Sequence, residues 1–345
     1  MYATTCPLSM PTSRRGRGRV LAATLSAMIP RDPRDLLRIR PDVKRALASG
    51  AAVVALESTV VTHGLPFPHN LAAARRSEAA ARRAGAVPAT IALHSGRIRI
   101  GLDDDELADL AAARDVPKVS RQNLAGVLGT PGWAGTTVSA TMIAARLAGI
   151  AVFATGGIGG VHHGGERTLD VSADLDELAR TPVAVVCAGP KSILDIGRTL
   201  EALESRGVPV VAWRSDEVAG FYSRSSGFRA PLRVDDAGEA AALILRHRAL
   251  GLASGILFTV PLPEEAALPR EVVIDVVARA SAEADEAGIR GPASTPWVLS
   301  RVAELTDGRA VEANVALLEH DASVAGAIAI ALAGADGVDL EAATT

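Results

Sequence analysis

From residue 51 to residue 260 short apolar runs alternate with amphipathic stretches, and that alternation restricts the fold more than any other feature of the chain. "AAVVAL" (51–56) reads as a strand, and "HNLAAARRSEAAARRAG" (69–85) as a helix that Gly85 ends. "PATIAL" (88–93) and "RIRIG" (97–101) read as strands, and "DDDELADLAAARD" (103–115) as a helix with acids at its positive end. A helix over 136–149, a strand over 150–154, a strand over 182–189 and a helix over 190–207 follow. Then come a strand over 208–213, a helix over 237–251 and a strand over 254–260. Beyond "PLPEE" the pattern turns almost wholly helical. Strands and helices in this alternation give an α/β fold: a sheet covered on both faces, with a helical C-terminal segment.

No long linker, sharp change of composition or internal repeat divides the chain, so one domain is expected over residues 37–338. Residues 1–36, with a basic cluster and the short apolar run "VLAATLSAMI", read as a mobile extension or an overcalled start. Residues 339–345 read as a tail. No stretch of the sequence runs to the ~20 apolar residues of a membrane span. The formal net charge is −3 and aromatics are 3%, which argues against nucleic acid as a partner. Cys6 and Cys187 are the only cysteines, too few for a disulfide framework, so a reducing, cytoplasmic setting fits. Cys187, inside "VAVVC", reads as a small core residue rather than a nucleophile.

In open α/β folds ligands lie beyond the carboxyl ends of the strands. "ATGGIGGVHHGGERTLDVSADL" (154–175) starts at such an end and holds six glycines, so its backbone can approach a ligand closely. The plain alternative is a surface loop. It does not match the GxGxxG dinucleotide pattern leading into a helix. Ser172 reads as the N-cap of a helix whose first N–H groups make an anion site, or as simple capping. Asp170 is suited to a hard cation such as Mn²⁺ or Mg²⁺. Adjacent His162 and His163 rarely both face one ion.

Lys191 follows a strand and the turn "AGP", with Pro190 at the favoured first position of the expected helix. A lysine at a helix start faces the positive end of the dipole, which lowers its pKa. A free lysine near ~10.4 is mostly protonated; one tuned towards ~7–8 attacks carbonyls and forms a Schiff base. Glu57 ends a strand beside Ser58, Thr59 and His63 and has the position of a general acid or base, or of a loop carboxylate. Lys118 is the sole lysine of a long Arg-rich region, a point charge for phosphate or an ordinary surface charge.

Taken together, "ALESTVVTHGLPFPHNLAAA", "GTTVSATMIAARLAGIAVFATGGIGGVHHG", "TLDVSADLDELARTPVAVVCAGPKSILDIGRTLEALESRGVPVVAW", "FYSRSSG" and "STPWVLSRVAELTDGRAVEANVALL" resemble the pseudouridine-5′-phosphate glycosidase family. This family is also called indigoidine synthase A-like. The resemblance runs in order over roughly residues 40 to 335. It implies a three-layer α/β/α sandwich with a central mixed sheet. It implies reversible cleavage of the C–C glycosidic bond of pseudouridine 5′-phosphate to uracil and ribose 5-phosphate, in an enzyme classed with the hydro-lyases.

The resemblance also makes Glu57 the proton donor and Lys191 the nucleophile that forms an imine at C1′. It places Lys118, Val138, Ser172, Ala173 and Asp174 against substrate, with His162 and Asn314 near base or sugar. It makes Asp170 the ligand of one Mn²⁺ per subunit. It implies a homotrimer, and the phosphorylated substrate implies a pseudouridine kinase as functional partner. The chain departs from the family pattern at Asn123, usually Asp, at "TVPLPEE", at "VHHGGE", and at His320–Asp321. These departures bear on base and sugar preference. Two other readings stand beside the first: another Schiff-base lyase or glycosidase on a related sugar phosphate, and a non-catalytic sugar-phosphate-binding protein.

Overall fold

The computed structural model describes residues 32–289 and 294–336. Residues before Leu37 form a unit of their own, whose described part is Asp32 and a 3-10 turn, Pro33–Leu36. The rest of the expected extension, and the tail 339–345, lie outside the described residues, as does Cys6. From Leu37 onward the chain builds a mixed sheet of eleven strands. In chain order they are β1 (Leu37–Ile39), β2 (Val53–Leu56), β3 (Val87–His94), β4 (Arg97–Ile100), β5 (Lys118–Val119) and β6 (Trp133–Thr136). They continue as β7 (Val152–Ala154), β8 (Ala184–Cys187), β9 (Val210–Trp213), β10 (Leu232–Val234) and β11 (Ile256–Thr259).

The strands lie side by side as β1-β4-β3-β2-β7-β8-β11-β9-β10, with β6 pairing both β3 and β5. The run from β3 through β10 is parallel. Antiparallel pairs occur where β3 meets β4 and β6. The expected mixed α/β architecture is therefore present. Every residue of β2, β7, β8, β9 and β11 is buried. A strand covered on both faces needs side chains that shed water on both, hence unbroken runs such as "AVVC" instead of an alternating pattern.

On one face Val54, Leu56, Val152, Ala154, Val186 and Phe258 pack with the helices His69–Arg83, Ala237–Ala249 and Arg309–Asp336. Against β2, β3 and β6 lies the helix Val138–Ala148, beside Ala173–Leu178.

Three expectations need correction. The helix expected over 190–207 begins only at Ile196, where the Asp195 side chain accepts the Arg198 N–H at 3.0 Å. Upstream of it, Lys191 N–H donates to the Ile158 carbonyl at 3.1 Å, and Ile158 N–H to that of Gly189 at 3.2 Å. Residues 189–191 are thus spent prolonging the pairing of β7 with β8, and an extended backbone cannot also be helical. Second, β1, β5, β6 and β10 were not expected; they are two to four residues long and too short to show a period. Third, one described helix, Arg309–Ala335, is long and apolar enough by composition to span a bilayer. Most of its apolar window (56%) is buried inside the protein, against β2, β7 and β8, as the core helix of a layered fold is.

Candidate active site

Three neighbouring parallel strands release the chain at one edge of the sheet. β2 ends at Leu56 and hands on to Glu57; β7 ends at Ala154 and hands on to Thr155; β8 ends at Cys187, four residues before Lys191. Because β2, β7 and β8 are adjacent and parallel, residues almost a hundred positions apart arrive together. The Thr155 hydroxyl donates to the Glu57 carboxylate. Lys118 opens β5, which pairs with β6 next to β3.

These groups line a cavity of about 310 Å³, whose walls include Glu57, Lys118, Lys191, Asp170 and Ser172. A narrow lobe of about 50 Å³ shares Glu57, Thr59, Lys118, Lys191 and Thr295 with it. That lobe runs on to His63, Phe221, Asn314 and Leu318. Glu57 and the two lysines therefore stand at a junction, with a polar chamber on one side and a largely apolar slot on the other.

Burial dominates the electrostatics. Glu57 is 8% exposed, and desolvation pushes its carboxyl above the ordinary carboxylate range. The charge of Lys191 and the Thr155 hydrogen bond pull the other way without overcoming it. Burial likewise holds Lys118 below the ordinary lysine range, reinforced by the charge of Lys191 and opposed by Glu57 and Asp174. A carboxyl with a raised pKa beside an amine with a lowered one is a setting suited to proton transfer.

The glycine-rich stretch follows from crowding. A β-carbon on Gly159 would lie 2.3 Å from the Ser172 hydroxyl and 2.9 Å from an Asp174 oxygen. The Asp174 carboxylate accepts the Gly159 N–H at 2.8 Å and the Ser139 N–H at 3.0 Å. It ties the loop to the start of the Val138–Ala148 helix, so its oxygens are already engaged by the backbone. Ser172 is the expected N-cap, accepting the Asp174 N–H at 3.2 Å. The helix it caps, Ala173–Leu178, has only six residues. The aligned peptide dipoles that would draw an anion are correspondingly few.

Val138, Ala173 and His162 also line the chamber, and Val138 is the first residue of its helix. His162 N–H donates to the Asp170 carbonyl at 3.0 Å. Burial holds the His162 imidazole below its ordinary range while Asp170 raises it. His163 lines a different cavity, so the two histidines do not share a ligand. Asn314, 8% exposed on the Arg309–Asp336 helix, reaches the narrow lobe, and its amide has no hydrogen bond within the described residues. Ser58 is structural: its hydroxyl accepts the Thr136 N–H at 2.9 Å. Cys187 is fully buried, and desolvation pushes its thiol up, which suits a core residue.

Among the described residues no three His, Cys, Asp or Glu side chains form a metal cage. The Asp170 carboxylate, with no ion pair among the described residues, is a single oxygen seat on the chamber wall. Such a seat fits a hard cation that keeps most of its water and completes its shell with ligand oxygens.

Sequence reasoning gave no role to Thr155 or Phe221 and named Thr59 only as a neighbour of Glu57; the buried Thr59 hydroxyl has no hydrogen-bond partner among the described residues. Thr155 was legible in principle as the residue after an apolar strand. Phe221 opens the motif "FYSRSSG" in a loop between β9 and β10, but nothing in that motif says that its ring reaches the cavity.

The chain matches the family model described as Indigoidine synthase A like protein over residues 42–331. It is 54% identical over 303 residues to the pseudouridine-5′-phosphate glycosidase of Methylobacterium nodulans, covering 88% of this chain and 90% of the relative. It is 52% identical to the one from Paracoccus denitrificans, covering 86% and 99%. Among solved structures it resembles the prealnumycin C-glycosynthase AlnA in complex with ribulose 5-phosphate, with a TM-score of 0.81 and 38% identity over 87% of this chain and 98% of that one. An indigoidine synthase A-like protein from Thermotoga maritima gives a TM-score of 0.78 at 33% identity, covering 86% and 97%.

Proposed function

The chain belongs to the indigoidine synthase A-like family, and on that premise we propose that it cleaves pseudouridine 5′-phosphate reversibly to uracil and ribose 5-phosphate. The observation that carries this reading is the meeting of Glu57, Lys118 and Lys191 in one cavity, in a chain so similar to glycosidases of that name.

A base linked through carbon is a poor leaving group. Lys191 solves this by adding to C1′ as the ribose ring opens, its proton passing to the ring oxygen. The C1′–C5 bond then breaks. Its electron pair goes to uracil C5, which takes a proton, and C1′ remains doubly bonded to the lysine nitrogen. Water hydrolyses that imine and releases ribose 5-phosphate and the free amine. Glu57, whose pKa burial raises, supplies the proton. Thr155 fixes its orientation.

Lys118, the Ser172 hydroxyl and the Val138 N–H at its helix start receive the phosphate. Its binding energy positions C1′ against Lys191. The apolar lobe ending at Asn314 receives the base, with that residue's amide opposite its polar edge. Asp170, with His162 beside it, would hold Mn²⁺. The ion when bound supplies positive charge that offsets the phosphate. An assembly of three copies and a separate pseudouridine kinase complete the reading, in a cytoplasmic setting. Leu169, 82% exposed, and Phe228, 43% exposed, offer apolar surface for the assembly.

The likeness to AlnA supports a second reading, C-glycosidic chemistry on another ring. Identity is higher to the glycosidases than to AlnA.

The test is borohydride trapping with ribose 5-phosphate and Mn²⁺, followed by peptide mass mapping, beside an assay for uracil-dependent formation of pseudouridine 5′-phosphate. A reduced sugar on Lys191, lost in Lys191→Ala, with product formed, is the expected result. An adduct without uracil-dependent product transfers the assignment to the second reading. No adduct in folded, metal-loaded protein removes the imine.

A further inference from the structure

We infer that Phe221 is the fixed wall of the base lobe against which a planar aglycone packs; the inference rests on the pseudouridine 5′-phosphate reading above. Phe221 is 2% exposed and has a backbone φ of 64°, a left-handed conformation that glycine adopts freely and a bulky side chain rarely does. Strain of this kind persists only where surrounding structure holds it, and it concentrates at ligand sites.

Here the surroundings are explicit. The Phe221 N–H donates to the Ala188 carbonyl at 2.9 Å, and the Ala188 N–H donates to the Gly156 carbonyl at 3.0 Å. Phe221 is therefore pinned to the exit of β8, three residues before Lys191. On its other side the Leu268 N–H donates to the Tyr222 carbonyl at 2.8 Å.

The ring is held as firmly as the backbone. Tyr222 packs edge-on against it, with centroids 4.6 Å apart and planes at 66°. A β-carbon on Gly157 would lie 2.7 Å from two Phe221 ring atoms and 2.9 Å from the Gly189 carbonyl oxygen. Only a glycine at 157 lets the ring occupy this place, so part of the glycine-rich stretch exists to admit Phe221. The ring cannot swing aside without displacing Tyr222 or the Gly156–Gly157 backbone.

Around the lobe, Pro296, Leu299 and Leu318 supply further apolar wall, while the Asn314 amide has no hydrogen bond within the described residues. A sugar turned into this slot would bury hydroxyls against carbon without partners, which is costly. A flat heterocycle buries its faces and keeps its polar edge for Asn314. The lobe is narrow beside the polar chamber, about 50 Å³ against about 310 Å³.

A buried phenylalanine serving the core alone predicts a different result, and the two-substrate synthetic direction separates them. With wild-type enzyme, uracil and ribose 5-phosphate are varied independently; product formation here tests the function reading itself, and its absence overturns that reading and this inference together. For Phe221→Leu the expected result is a KM for uracil raised about ten-fold, the order expected for one lost aromatic–base contact. The KM for ribose 5-phosphate should stay within about two-fold, and borohydride trapping on Lys191 should persist. Phe221→Met, closer in length, is the companion variant if the leucine does not fold, with the same split expected. An unchanged uracil KM, or both KM values moving together, makes Phe221 a packing residue and overturns the inference.

Discussion

The proposed mechanism asks most of one carboxyl, Glu57. It is buried, oriented by Thr155, and flanked by two lysines whose charges favour its anion, yet burial keeps its pKa raised. If the protonated form is the working one, cleavage falls as pH climbs through that raised pKa, because the fraction carrying a proton declines. Glu57→Gln keeps the shape and a hydrogen-bonding group but cannot give up a proton. Its kcat should drop by about 10²–10⁴-fold, with the KM for pseudouridine 5′-phosphate little altered and the alkaline limb of the profile gone. Steady-state kinetics between pH 5 and pH 9 check this, and near wild-type turnover in the variant would remove Glu57 from the mechanism. Lys191 carries the other lesson of this scale. Its sequence neighbours suggested a helix start, whereas the fold puts it on a strand-like extension facing Glu57 and Lys118. Its setting is made by side chains, not by a helix dipole.

Arg309–Asp336 is the element that joins core to site. Its upper turns carry Asn314 and Leu318 to the base lobe, and its buried face covers β2, β7 and β8. In that face lies Asp321, 1% exposed, whose carboxylate oxygens have no well-formed hydrogen bond among the described residues, only a weak approach of the Ala188 N–H that lowers its pKa less than burial raises it. Cys187 is the titratable neighbour whose thiol it perturbs. The nearby Ala188 N–H is already committed to Gly156. Burial raises the Asp321 pKa well above 3.8. The folded protein therefore keeps a proton that the unfolded chain releases first. Stability from this group is intact below the unfolded value and declines as pH rises from there towards the folded pKa. Asp321→Asn has no proton to lose. The two proteins should melt alike near pH 4, and the variant should melt higher at pH 8, by roughly 2–4 °C for each kcal/mol recovered. Equal melting temperatures at both pH values would mean that Asp321 finds a partner in solution.

Across the whole molecule, the site depends on strand order. Glu57, Thr155 and Lys191 converge because β2, β7 and β8 are neighbours, although β3 to β6 intervene in sequence. The family model begins at residue 42, and the relative from Paracoccus denitrificans is covered over 99% of its length by 86% of this chain. The unit from Leu37 onward should thus suffice. A chain starting at Leu37 is expected to keep kcat within about two-fold and to melt within about 2 °C of the full chain. A large loss in either would give the preceding residues a role in the fold or the site. Light scattering on the same two proteins tests for the assembly of three copies.

The sequence by itself determined the class of fold, because burial on both faces of a parallel strand demands unbroken apolar runs and a covering helix demands an amphipathic one. Val53–Leu56 and His69–Arg83 are legible for that reason. It also carried the principal site candidates, through motifs that resemble a family. Strands two to four residues long, such as β5 and β6, were not legible, since what fixes them is pairing with β3 and not any local period. The same holds for the 189–191 segment, where hydrogen bonds to Ile158 outweigh a good helical pattern. Thr155 beside Glu57, Phe221 against Gly157 and the buried carboxyl of Asp321 were decided only by the tertiary structure. Desolvation and contact belong to surroundings that distant segments supply, and no local stretch of sequence contains them.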